Sequence, residues 1–262
     1  MDNKSKEIVD IACVLFGRGG KFGRQDVPEK NLRPLLGRPA MTYPLLAAKN
    51  SKEVDVLYLS TDDAEIANIG RKLGAEIIDR PDYLATKEAL MEDAIFHACG
   101  EIKNRLGYIP EIVVVLMCNA PHILASTIDE GVRRLKTKPE FDSVITACKM
   151  NMFSPLRARK ITEKGTLVPF VPFDCIQNKN LLSSNRNSAG DAYFADNGMT
   201  VVRSKCLANI HDNLLPFQWM GKEIHFIEQF DTGCDIDDEW QLVVLERWLA
   251  NHGFTKTSTP YD

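Results

Sequence analysis

The feature that most constrains the fold is a recurrence of short apolar, β-branched runs separated by stretches of helical period. The runs cover residues 8–16, 54–60, 112–117, 143–148, 199–202 and 224–227. They lack the polar alternation of a half-exposed strand, so they read as strands buried mostly on both faces. The first intervening helix is signalled by Asp62-Asp63-Ala-Glu65, with Asp62 as N-cap, then Ile66, Ile69 and Leu73 on one face and Gly74 as the stop. Ser126-Thr-Ile-Asp129 repeats the capping pattern ahead of Val132 and Leu135. Residues 88–105 and 238–251 read as the longest internal helix and the C-terminal helix. Alternating β and α predicts an α/β sheet with helices on both faces, whose ligands bind beyond the carboxyl ends of the strands.

At 262 residues the chain suits one elaborated domain, expected over 1–252. The alternation lapses over 149–193, where Pro155, Pro169 and Pro172 precede the polar stretch Leu182-Ser-Ser-Asn-Arg-Asn-Ser-Ala-Gly190. This segment reads as an insertion that packs on the main sheet or on another subunit, with a lid-like polar end. Residues 253–262 read as a flexible, frayed tail. A net charge of −4 argues against a general nucleic-acid or anionic-membrane surface. With 44% hydrophobic and 26% charged residues, disordered and coiled-coil readings are excluded. The seven cysteines are never closer than 19 residues in sequence, so reduced thiols in a cytoplasmic protein are expected rather than a disulfide framework or zinc site. The five histidines show no ligand spacing, and neither a secretory leader nor a membrane span is legible.

The first strand runs into Gly17-Arg-Gly-Gly-Lys-Phe-Gly-Arg-Gln-Asp-Val-Pro-Glu-Lys-Asn31. Phe22 stands where a dinucleotide fingerprint needs glycine, and the P-loop pattern fails as well. What remains is a glycine-rich basic turn. From Arg18 to Arg38 there are six positive residues against two negative, a local charge of +4. Glycines let backbone N–H groups approach an anion, and Arg and Lys add charge-assisted bonds to phosphate. A merely solvated basic loop is the bland alternative, disfavoured by the loop's place at a strand's carboxyl end. Near the other terminus, Asp235-Ile-Asp237 would put two carboxylates on one side of an extended chain, an arrangement suited to Mg²⁺. The competing reading is that Asp237 or Asp238 only caps the last helix.

The arrangement Arg18-Gly-Gly, Lys30-Asn-Leu-Arg-Pro-Leu-Leu-Gly-Arg-Pro39, Leu59-Ser-Thr-Asp-Asp63, Gly74-Ala-Glu-Ile-Ile-Asp-Arg-Pro81, Leu84-Ala-Thr86, Asn197-Gly198 and Asp235-Ile-Asp237 resembles the acylneuraminate cytidylyltransferases. The resemblance covers about residues 8 to 250. It implies a Rossmann-like nucleotidyltransferase sheet carrying a small dimerisation and lid insertion. The activity implied is transfer of CMP from CTP to the anomeric hydroxyl of an acidic 2-keto-3-deoxy sugar, with release of pyrophosphate. It places Arg18, Gly19, Gly20, Lys21 or Arg24, Lys30, Asn31 and Arg80 at the nucleotide, and Arg186, Asn197 and Gly198 at the sugar. Mg²⁺ falls on Asp235 and Asp237, and Arg18, Lys30 and Asp237 become the catalytic set. It also implies a homodimer, formed through the insertion over 152–173. The sequence departs from the family at Met117-Cys-Asn-Ala-Pro121, where Gln-Pro-Thr-Ser-Pro is common, and after Ala85, where Glu88-Ala-Leu-Met-Glu-Asp93 lacks the family's serines. A metal-dependent sugar-nucleotide glycosyltransferase and a non-catalytic nucleotide-binding homologue remain as alternatives.

Overall fold

The structure, a computed structural model, describes residues 9–20, 27–176, 180, 182–231 and 233–262. Strand β1 (Ile11–Phe16) leads into a short hairpin, β2 (Pro34–Leu35) and β3 (Arg38–Pro39), then α1 (Thr42–Asn50), β4 (Val56–Thr61), α2 (Ala64–Lys72) and β5 (Glu76–Asp79). Helix α3 (Met91–Leu106), β6 (Ile112–Met117), α4 (Ala125–Thr137) and β7 (Ser143–Lys149) follow. A second hairpin, β8 (Arg159–Ile161) and β9 (Leu167–Pro169), stands apart from the main sheet. The chain ends through β10 (Tyr193–Arg203), α5 (Ser204–Ala208), β11 (Ile224–Gln229) and α6 (Glu239–Asn251).

Seven strands form one sheet in the order β11-β7-β10-β6-β1-β4-β5. All neighbours are parallel except β10, which runs antiparallel to both β6 and β7. Its register shifts between Ala195 and Thr200, so the strand extends well upstream of the 199–202 run read from sequence. Strand β5 is an addition to the sequence reading. Only Ile77 and Ile78 are apolar in it, as befits an edge strand paired on one side.

The sheet is buried from both sides. Cys13, Leu15, Val114 and Leu116 meet Met41 just before α1, Leu45 of α1, Ile66 of α2 and Ile128 and Val132 of α4. Ala12, Val14, Val113 and Val115 face Ala94, Ile95 and Ile102 of α3 with Leu207 and Trp219. Two expected caps change owner. Asp63, not Asp62, caps α2, accepting from the backbone N–H groups of Glu65 (2.8 Å) and Ile66 (3.0 Å). Helix α4 starts a residue earlier than its expected cap, with no side-chain cap. Asp129 lies inside it, accepting from Ser51 Oγ at 2.6 Å and Lys52 N at 2.9 Å. It fastens the loop after α1 instead of capping.

A third cluster joins Val27, Leu35 and Tyr43 to Ile236, Leu245, Trp248 and Phe254. The expected frayed tail is therefore corrected. Phe254 is 1% exposed and meets Tyr43 edge-on at 5.1 Å, and the Tyr261 hydroxyl accepts from Ala125 N at 3.0 Å. Packing these rings against α1, α4 and α6 anchors the last ten residues to the domain. Phe254→Ala is expected to lower unfolding free energy by about 3 kcal/mol in a urea titration; a change under ~0.5 kcal/mol would return the tail to a passive role.

Candidate functional site

The carboxyl ends of β1 and β6 and the segments after β4 and β5 converge on one rim of the sheet. A cavity of about 270 Å³ opens there, walled by Phe16, Met117, Leu84 and Leu90 and carrying Arg18, Lys30, Arg80, Lys87, Asn31 and Asn119. Among the described residues four cations and no carboxylate line it. A larger cavity of about 540 Å³ beside α3 carries Glu92, Asp93 and Asp212, the wrong sign for a phosphate ligand.

Each basic residue is placed by the fold. Arg18 leaves β1 and its guanidinium donates to the Thr86 carbonyl, joining the glycine turn to the loop that carries Lys87. Asn31 is 4% exposed; its side-chain amide donates to the Arg18 carbonyl at 2.8 Å, and its own carbonyl accepts from Met41 N at 3.0 Å. Arg80 follows β5 and is buried, with Nη2 donating to the Ser60 carbonyl at 2.9 Å and its guanidinium 5.7 Å from the Phe16 ring centre. Burial pushes its pKa down to about 10 against the opposing pull of Asp62, so it stays charged at neutral pH. Cys118 beneath the turn is raised to about 12 by burial, which leaves a thiol and no nucleophile.

Gly19 does not point its N–H at an incoming anion. The N–H donates to Asp62 Oδ1 at 2.9 Å, and a Cβ here would come within 2.9 Å of Asp63. Asp62 thus positions the turn, the role that replaces its expected cap. Lys21 and Arg24 lie outside the described residues; among the described residues nothing comes within 4 Å of a Cβ added at Gly20.

The acidic pair reaches the same rim from the last helix. Ile236 is fully buried in the third cluster, so Asp235 and Asp237 on either side of it are presented away from that core. Asp235 Oδ2 accepts from Asn119 Nδ2 at 2.7 Å, and Asp237 Oδ1 lies 2.6 Å from Lys30 Nζ. Asp238 takes the N-cap position, while Gln241 Oε1 accepts from the N–H groups of Asp237 (2.6 Å) and Asp238 (2.5 Å). With Asp238 as the cap, the Asp237 carboxylate is engaged by Lys30, one of the residues that line the cavity. Among the described residues no group of three or more His, Cys, Asp or Glu is placed to hold a metal. Two carboxylates alone fit a Mg²⁺ that arrives with phosphate oxygens, not a standing protein cage.

The residues expected at the sugar are not brought into this cavity. Arg186 lines a separate one of about 330 Å³ with Lys149, Asn151 and Asp191 in the segment between β7 and β10. Asn197 sits in the β10 irregularity with a left-handed φ of 59°. The space above Gly198 is not open to a ligand: a Cβ would meet Thr146 Oγ1 at 3.0 Å, Asp196 Oδ1 at 3.1 Å and His122 Nε2 at 3.2 Å. The close approach that this glycine permits is the protein's own. Sequence reasoning gave no binding role to Lys87 or Asn119. Asn119 stands out in the sequence only as part of a departure from the family pattern, and Lys87 follows the Leu84-Ala-Thr86 motif without a signal of its own.

Such a rim, basic on the first turn and acidic before the last helix, has the chemistry that suits a phosphate-bearing ligand on an α/β sheet. Residues 23–167 match the family model described as Cytidylyltransferase, and the chain belongs to the cytidylyltransferase family. It is 24% identical over 265 residues to the N-acylneuraminate cytidylyltransferase of Oncorhynchus mykiss, covering 99% of this chain and 56% of the relative. Against the N-acylneuraminate cytidylyltransferase of Escherichia coli O18:K1:H7 it is 24% identical over 244 residues, covering 92% and 53%. The chain thus spans about half the length of these curated relatives. In fold it is similar to a CMP:2-keto-3-deoxy-manno-octonic acid synthetase complexed with CTP, with TM-score 0.64 and 14% identity, covering 92% of this chain and 99% of that one.

Inorganic triphosphate is expected to raise the thermal midpoint of the protein, and Lys87→Ala to weaken its binding several-fold, the scale of one lost charge-assisted contact. Arg157→Ala, in a cavity of the insertion, should leave calorimetric titrations unaltered; equal losses in both variants would remove the assignment.

Proposed function

We propose that this chain is a CTP-dependent cytidylyltransferase acting on an acidic 2-keto-3-deoxy sugar, a sialic acid-like nonulosonate or a related octulosonate. The observation that carries the reading is the meeting of a four-cation cavity with the Asp235–Asp237 pair at one rim of a nucleotidyltransferase sheet. The names of the relatives support the substrate class.

In this reading the anomeric oxygen attacks the α-phosphorus of CTP in line. A new O–P bond forms, the bond to the bridging oxygen breaks, and pyrophosphate leaves with the electron pair while the hydroxyl proton passes to solvent. The chain's part is positioning and charge neutralisation. Arg18 and Lys30 hold phosphate oxygens, Lys87 adds a cation at the cavity edge, and Arg80 with Phe16 forms a rigid charged wall beneath the nucleoside. Mg²⁺, when bound through Asp235 and Asp237, would supply further neutralisation of the triphosphate. Lys30 and Asp237 are in direct contact, yet an ion pair as exposed as this one contributes only ~0–1 kcal/mol. Phosphate can therefore draw Lys30 away at little cost.

The reading extends to a cytoplasmic homodimer. Met152, Phe153, Ile161, Leu167 and Phe170 are exposed apolar side chains within the β7–β10 insertion, the face that a second copy would cover.

Pyrophosphate release measured with each nucleoside triphosphate against a panel of nonulosonates and octulosonates should be specific to CTP and dependent on Mg²⁺. Asp237→Asn should reduce turnover at least about 100-fold with an unchanged unfolding midpoint. Release with no combination of substrates would overturn the proposed activity, and full turnover by Asp237→Asn would take that carboxylate out of it.

A further inference from the structure

Behind the rim lies a polar cluster that the reaction as described does not use. Asp196 and His122 are both fully buried in their side chains. An ionised carboxylate so placed costs several kcal/mol unless donors surround it. They do: Oδ1 accepts from Thr146 Oγ1 at 2.5 Å and from Gly198 N at 2.9 Å, and Oδ2 accepts from Gln229 Nε2 at 2.8 Å. Burial raises the Asp196 pKa, but His122, Thr146 and the Gly198 N–H outweigh it and hold the carboxyl below the ordinary range. His122 Nε2 lies 3.1 Å from the Asp196 carbonyl and 3.6 Å from Oδ2. Both neighbours are acceptors, so this nitrogen carries the hydrogen.

The cluster ties four segments together. His122 comes from the segment after β6, Thr146 from β7, Asp196 and Gly198 from the β10 irregularity, and Gln229 from the end of β11. Thr146 Oγ1 in turn accepts from Met199 N at 2.9 Å. Asn197, between these clamped residues, is kept in the left-handed region that a non-glycine residue seldom occupies. Three residues before His122, Asn119 holds Asp235. One short segment thus fixes both the acidic pair and the β10 bulge.

We propose that His122 and Asp196 are a positioning pair that closes the β10 bulge around Gly198 and thereby sets Asn197 for the acceptor sugar, separately from nucleotide binding. This rests on the cytidylyltransferase reading for its substrate but on the structure for its mechanics. The pair touches no reacting atom; it locks the backbone that would present Asn197.

The test compares His122→Leu, which fills the volume without a donor, with His122→Gln, which restores an N–H donor. With the acidic sugar that the wild type uses best, His122→Leu should lower kcat/KM for the sugar about tenfold at saturating CTP, the value of one hydrogen bond to a charged group. The Kd for CTP should stay within about twofold, and His122→Gln should recover most of the loss. A parallel loss of CTP affinity, or an unchanged kcat/KM, overturns the proposal. Amide exchange provides a readout independent of turnover: Gly198 and Met199 should exchange about tenfold faster in His122→Leu than in wild type or His122→Gln. If the wild type transfers no CMP, the proposed activity fails while this exchange still decides the pair, and equal exchange sinks it. If His122→Leu does not fold, Gln229→Leu, which removes a donor from the same carboxylate, is read by the same criteria.

Discussion

Burial of the central strands on both faces is the constraint on which the rest of the molecule depends. A sheet packed against α1, α2 and α4 on one side and α3 and α5 on the other has no room for solvated charge within its strands. Charge is therefore displaced to the strand ends, and the parallel order brings the carboxyl ends of β1, β4, β5 and β6 to one rim. The buried exceptions are Asp196, at the β10 irregularity, and Arg80, just past β5. Arg80 is tolerated because Ser60 and the Phe16 face receive its guanidinium, and it serves as the floor of the cavity.

The last helix completes that rim from outside the sheet. Burying Ile236 with Leu245, Trp248 and Phe254 fixes where the chain enters α6, and the acids on either side of Ile236 are placed as a consequence. The sequence suggests that a polyphosphate with magnesium would bring the basic turn and the acidic pair together. The structure already has them in contact through Lys30 and Asp237, with Arg33 and Glu239 2.8 Å apart nearby. Apolar packing of α6 thus places the acidic segment beside the basic turn.

Much of this was legible because long apolar runs have few alternatives: the strand read at 112–117 matches β6, and the helix read at 238–251 matches α6. The misses have local causes. Asp62 and Asp63 are both capable caps, and only the path of the glycine turn decides that Asp62 receives Gly19 N instead. Asp129 follows a cap-like Ser-Thr pair, yet its tertiary partners lie in the loop after α1. Strand β5 carries too short an apolar run to be distinguished from a loop. The polarity of residues 255–262 suggests fraying, while the two rings that anchor them, Phe254 and Tyr261, are separated by six residues and show no periodicity.

The structure sorts its carboxylates by what it costs to disturb them. Asp196 is enclosed, and its oxygens meet donors from three strands and the segment after β6. Removing any donor leaves a charge that water cannot reach. Asp237 is mostly exposed and its contact with Lys30 is of the weak surface kind. The first type of carboxylate can hold backbone geometry but cannot exchange partners during a reaction cycle. The second can exchange partners but fixes little by itself. Asp235 lies between them, held at one oxygen by Asn119. One segment, from Asn119 to His122, connects the rigid carboxylate to Asp235 and so to the start of the exchangeable pair.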